Sequence, residues 1–307
     1  MSMPVRWWAS LGALGLAAEL LVLGVWSADA GWRPPKRPDH VPSDLGGPAI
    51  THVFVGCWAL LVILPLAIVV CRDCLRRRSL TFAAVVMVAA PLSSWLDMLS
   101  GWHRPVFVYY TDDPLTIRGW SPHLPGWHGG EQLAYPAVSV ILIYYVSLPL
   151  GFFIMKEAIG YAARRRPDWG TCRLFAVSML VSTVGGGALL FIGVATRLFA
   201  FVDVVPDLTL FYGTRFQFPV YDAVLNGVCF AAFGALWYRL DEHGLSAVER
   251  GVDQLPSWSR PWVRVLSMTG AIQLALLCFG IGNILLSLVA SPAPPLLDTP
   301  VLSTAGP

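Results

Sequence analysis

Seven apolar runs of about twenty residues or more, at roughly 7–26, 49–71, 80–101, 133–155, 172–196, 218–240 and 263–290, limit this 307-residue chain more than any other feature. About 20 residues of α-helix cross the roughly 30 Å hydrocarbon core of a bilayer, so each run is long enough to span. The expected fold is all-α: a polytopic integral membrane bundle of about seven transmembrane helices forming one transmembrane domain over 1–307. Hydrophobic residues make up 56% of the chain and charged residues 13%, where a soluble domain has about a quarter charged. Arg6 before the first run and Ala28-Asp29-Ala30 after it resemble the flanks of a signal peptide, but the run exceeds the roughly 7–15 residues of such a segment and reads as a retained helix.

Orientation follows from Lys and Arg. With seven spans, fourteen of the 21 fall on one face, in clusters such as Arg72 with Arg76, Arg77 and Arg78, and seven on the other. Basic residues accumulate on the cytoplasmic side, so the expected protein is a multi-pass cell-membrane protein with its N-terminus in the cytoplasm. A net charge of +2 without a basic stripe argues against nucleic acid as a partner. The lipid bilayer is the first partner.

Polar chemistry gathers on the opposite, non-cytoplasmic face. Five of the six histidines (His40, His52, His103, His123 and His128) lie there with Trp120, Trp127, Asp112, Asp113 and Glu131. The run "RGWSPHLPGWHGGEQ" from Arg118 to Gln132 carries Trp, Pro, His and Gly residues that form no core of their own. Its prolines and the Gly129-Gly130 pair predict a lid-like loop over 103–132, with a rigid packing plug as the competing form. The polar and Pro-rich end, 291–307, is expected to be disordered.

Three acids stand inside apolar runs: Glu19, Asp97 and Asp222. An unpaired charge at mid-bilayer costs roughly 2.5–3.5 kcal/mol on the lenient insertion scale, so each must face the interior, find a partner or carry a proton. Asp97 shares a helical face with Ser93, Ser94 and Ser100, and Asp222 with Asn226 one turn on. Arg197 and Arg215 are candidate ion partners. No metal is expected: Cys71 and Cys74 form a lone CxxC, the histidine spacing fits no common ligand set, and DDxxD, HExxH and P-loop motifs are missing. The last span holds no lysine for a Schiff base.

The segments "SSWLDMLSGWHRPVFVYY", "GWSPHLPGW", "LFYGTRFQFPVYDAVLNG" and "GLSAVERGVDQL" occur in the order and spacing of the AveC-type integral membrane spirocyclases, which the chain resembles over roughly residues 85–255. The resemblance marks Trp95 and Asp97, Arg104-Pro105, Trp120 with Pro125-Gly126-Trp127, Glu131, Gln217-Phe218-Pro219 with Tyr221 and Asp222, and Glu249-Arg250-Gly251. The sequence departs from the family pattern at Met98 and Gln132. What the resemblance implies is formation of a spiroketal from a hydrophobic, polyketide-like dihydroxy-ketone, by acid-base catalysis without cofactor or metal. Asp97 or Asp222 is then the expected general acid, and the other, or Glu131, the base. Tyr221, Asn226, Gln217 and Arg215 are expected around the substrate oxygens, and Trp120 and Trp127 over the cavity. Two alternatives stay open: a membrane terpene or meroterpenoid cyclase, and a non-catalytic binder of lipid or polyketide.

Overall fold

A computed structural model describes residues 4–29, 47–109, 115–129, 134–196 and 198–291, with backbone alone for 47–51 and 134. The chain is mostly helical, as expected. Six helices are long and apolar enough to cross a membrane: α1 (Pro4–Ala28), α2 (His52–Arg77), α4 (Ala137–Arg165), α5 (Thr171–Ala195), α6 (Val220–Tyr238) and α7 (Arg260–Ser287). A further helix pair is long and apolar enough only when its two parts are taken together. Helix α3 (Phe82–Ala89) and the 3-10 segment Pro91–Gly101 meet at 51°.

The break has a local cause. Thr81 caps α3, its hydroxyl accepting from the Ala84 N–H at 3.3 Å. Pro91 brings no N–H and crowds the carbonyl four residues back, so the chain continues in the tighter 3-10 form. Runs of 3-10 helix longer than three or four residues are uncommon, and this one has eleven. Its repeat of three aligns Ser94, Asp97 and Ser100. Ser93, which an α-helix would place beside Asp97, turns back to donate to Ala89 O at 3.1 Å.

Helices α1 and α7 run parallel in close contact. A Cβ on Gly12 would lie 2.0 Å from the Leu266 carbonyl oxygen, and one on Gly270 would lie 2.2 Å from that of Trp8, so the backbones meet where neither residue has a side chain. The first and last spans therefore share a direction, as an odd number of crossings requires.

Three antiparallel ladders occupy one end of the bundle. Strands β1 (Phe107–Tyr109) and β4 (Phe199–Phe201) pair Phe107 with Phe201 and Tyr109 with Phe199. Side chains alternate along a strand, so these four rings share one face. Strand β2 (Thr116–Arg118) pairs with β3 (Ala134–Pro136), and β5 (Thr209–Leu210) with β6 (Phe218–Pro219). A bridge between Val204 and Ser291 ties this layer to the end of α7.

The opposite end, which carries the arginine clusters, is closed by a buried clasp. Glu249 is wholly buried; its Oε1 accepts from Arg264 Nε at 2.7 Å, and its Oε2 from the Ser246 N–H and hydroxyl at 3.0 and 2.6 Å. Arg264 also donates to Leu80 O at 2.7 Å, joining α7 to the turn before α3. Arg250 O accepts from the Val5 N–H at 3.2 Å, which adds α1.

Candidate active site

The ring face of β1 and β4 roofs a cavity of about 120 Å³, on the order of ten waters at the roughly 10–15 Å³ one water requires. Helices α4, α5, α6 and α7 and the 3-10 segment form the walls. Asp97 and Asp222 both line it, close enough for the charge on one to be felt by the other. Among the described residues these are the acids that the cavity holds.

Their surroundings differ. Asp97 accepts from Tyr109 Oη through Oδ2 at 2.6 Å and from Tyr145 Oη through Oδ1 at 3.2 Å. One phenol comes from the roof and the other from a π turn, Ile141–Val146, inside α4. That widened turn, a form often found at functional sites, carries the adjacent Tyr144 and Tyr145, both facing the cavity. Burial pushes the Tyr109 phenol well above its usual range, reinforced by the nearby Asp97 charge, so it stays protonated and remains a donor at any physiological pH. Asp222 is buried at the start of α6, where its oxygens accept from the side-chain amides of Asn226 and Asn283, each at 3.3 Å. Asn283 comes from α7, so this carboxyl bridges two spans.

The wall around the acids is aromatic, with Phe152, Phe230, Phe233 and Phe279 below the four roof rings. Such faces attract a developing cation, and the phenols, amide and carboxyls give a substrate oxygen several partners.

Other residues singled out from the sequence fall elsewhere. Trp120 is buried behind the site, donating from Nε1 to Trp95 O at 2.8 Å and packing edge-on against Tyr135 with centroids 4.4 Å apart. Trp127 packs against the core outside the cavity. Their loop is fastened to the 3-10 segment: the His128 N–H donates to Trp102 O at 2.9 Å and Trp102 Nε1 to Pro125 O at 3.0 Å. The cavity is thus closed by β4 and by β1, which lies within the stretch 103–132, while the tryptophan-bearing part of that stretch forms an outer layer. Gln217 does not reach the cavity either. Its Nε2 donates to Phe201 O at 2.6 Å, its Oε1 accepts from the Gly213 N–H, and it latches β4 in place.

Tyr221 hydrogen-bonds the backbone of Val205 outside the cavity, and Arg215 is exposed over the Phe216 ring, paired with neither acid. Glu19 is half-buried midway along α1, away from the cavity. Glu131, Arg197 and the segment 292–307 lie outside the described residues. Among the described residues no cluster of three His, Cys, Asp or Glu is placed to hold a metal ion, and the six cysteines are unpaired.

Beside the roof, Arg104 approaches Asp203 and donates to Ala290 O at 3.4 Å. Burial raises the Asp203 carboxyl above its usual range, and the guanidinium offsets part of that rise. Sequence reasoning passed over Tyr109, Tyr144, Tyr145 and Asn283. The one sign of Asn283 was an amide within the last apolar run, which also holds Gln273.

Fold and site together define a multi-span helical protein of the membrane type, with two carboxyls in one aromatic cavity. The chain belongs to the spirocyclase AveC-like family, whose pattern it matches over residues 76–301. No curated protein and no solved structure gave a match.

Proposed function

We propose that this protein is a membrane-embedded cyclase that closes a dihydroxy-ketone polyketide into a spiroketal with loss of water. The observation that carries this reading is the pair of differently held carboxyls, Asp97 and Asp222, facing one aromatic cavity. Asp97, with an O–H donor on each oxygen, is built as an acceptor. Asp222, held by neutral amides, begins as the acid.

Each group then works twice. Asp97 takes the proton of the first hydroxyl as that oxygen adds to the ketone carbon, while Asp222 protonates the carbonyl oxygen to give the hemiketal. Asp97, now protonated, returns its proton to the hemiketal hydroxyl, which leaves as water. The resulting oxocarbenium ion sits among the rings of the roof and walls. The second hydroxyl attacks one face of it and loses its proton to Asp222. Both acids end as they began, and the reaction is dihydroxy-ketone to spiroketal plus water. No cofactor or metal enters the scheme, and Glu131 remains a candidate second base. Gln217 acts through the roof, whose fixed position decides the face of ring closure.

Membranes containing the protein, given a dihydroxy-ketone polyketide, are expected to yield one spiroketal epimer 18 Da lighter. Asp97→Asn and Asp222→Asn should each lower the rate by roughly 10²–10⁴-fold, the usual worth of a positioned acid or base. Retention of wild-type rate by both variants refutes the assignment. The aromatic wall also suits a terpene or meroterpenoid cyclase, but a hydrocarbon needs few oxygen partners and this cavity offers six: Asp97, Asp222, Asn226, Tyr109, Tyr144 and Tyr145. If the acid-to-amide variants bind ligand as wild type does and wild type turns nothing over, the protein is a binder.

The basic end of the bundle is proposed as cytoplasmic, which places the N-terminus inside and the roofed cavity toward the opposite face.

A further inference from the structure

We propose that the seam between α6 and α7 is a lateral portal through which a long, lipid-soluble hydroxy-ketone enters from the bilayer, leaving its apolar remainder between the two helices. The proposal names a substrate class and so rests on the cyclase reading.

On their other sides α6 and α7 meet their neighbours by close approach. A Cβ on Gly234 of α6 would lie 2.3 Å from Met155 Cβ on α4, and one on Gly227 would lie 2.2 Å from Thr183 Oγ1 on α5; Ser182 Oγ also donates to Gly227 O at 2.6 Å. On the other side of α7 the 3-10 segment comes close as well: Leu99 Cβ would lie 3.4 Å from a Cβ on Gly280. Above, Gln217 latches the roof.

At the seam a Cβ on Gly282 would meet the outer carbons of Leu225, at 3.1–3.7 Å, rather than backbone or a Cβ. Side chains alone span it: Asn283 to Asp222, Leu225 against Gly282, and Cys229 Sγ to Ala275 O at 3.7 Å. Helical phase puts Leu225, Val228 and Cys229 on this edge of α6, and Ala275, Cys278 and Gly282 on the facing edge of α7. Of these, Cys229 and Ala275 line the cavity, while Val228 and Cys278 are exposed on the outer surface. The edge therefore passes from the reaction chamber to the bilayer within one helical turn. The roof rings above and the phenyl rings below bound the chamber, so the remainder of a long polyketide needs a way out. An apolar remainder emerging here stays in hydrocarbon.

The test staples the seam. Gly282 Cβ would lie 3.7 Å from Leu225 Cγ, which brings paired cysteine sulfurs within disulfide reach in Leu225→Cys with Gly282→Cys. The probe is a long-chain hydroxy-ketone with a diazirine beside the ketone, photolysed in proteoliposomes and mapped by mass spectrometry. Labelling of Phe230 that excess unlabelled ketone competes away should fall at least tenfold when the pair is oxidised and return on reduction. The outward Leu61 and Leu180 should show no such competition. Unchanged Phe230 labelling after complete oxidation overturns the portal. If the paired variant does not fold, Val228→Trp, a surface change at the mouth, takes its place: slower Phe230 labelling supports the portal and an unchanged rate overturns it. Staple-sensitive labelling without turnover in wild type removes the cyclase reading and leaves the portal; turnover with staple-insensitive labelling does the reverse.

Discussion

At the scale of single residues, the site depends on which oxygen receives which proton. Tyr109 donates to Asp97 at 2.6 Å and Tyr145 at 3.2 Å, so the roof phenol holds the carboxylate more firmly. A hydrogen bond to a charged group is worth about 1.5–3 kcal/mol, which corresponds to about 10- to 150-fold if the interaction is felt in the transition state. Turnover by Tyr109→Phe should fall within that range and by Tyr145→Phe less; equal losses would mean that the two phenols share the work. Asp97, Asp222 and Asn226 were legible in the sequence because a charge in an apolar run demands an explanation. Their partners were not, because a tyrosine or a lone asparagine is tolerated in a span at little cost and announces nothing until a carboxyl is seen opposite it.

At the scale of elements, two departures from regular helix build the cavity: the 3-10 segment that carries Asp97 and the π turn that carries Tyr144 and Tyr145. Pro91 and Pro149 punctuate the sequence near both, yet hydropathy reads straight through them, so six spans were legible and the bend in the remaining apolar run was not. The roof was missed for a similar reason. Three-residue strands such as "FVY" and "FAF" pair only because the helices below bring residues 107–109 and 199–201 together, and no local pattern encodes that meeting. The tryptophan-rich loop drew attention by composition, yet it forms the layer behind. Gln217 fixes β4, and Gln217→Leu would leave the Phe201 carbonyl without its donor at a cost of about 1–3 kcal/mol. The expected outcome is a mixture of spiroketal epimers, measured by chiral chromatography, with the acids untouched.

Across the whole molecule, the Glu249–Arg264 clasp joins the turn before α3, the α6–α7 connection and the base of α7. Removing one partner of a buried ion pair costs about 3–5 kcal/mol because it leaves the other charge stranded, whereas replacing both with apolar residues costs far less. Melting in detergent should therefore show Arg264→Leu destabilised more than Arg264→Leu combined with Glu249→Leu. If the double variant is the weaker, the clasp is a net source of stability.

The parallel contact of α1 with α7 sets the timing of assembly. Gly12 leaves the ribosome well before Gly270, so α1 must wait in the bilayer while the helices between them are made and its partner is inserted. During that interval Glu19 has no bundle to shelter it and the face that Gly270 will cover is open to other membrane chains. A chain arrested before α7 would therefore present a half-built bundle, without the wall that carries Asn283, to the quality-control proteases of the membrane. The α1 contact and the amide shelter of Asp222 both wait for α7.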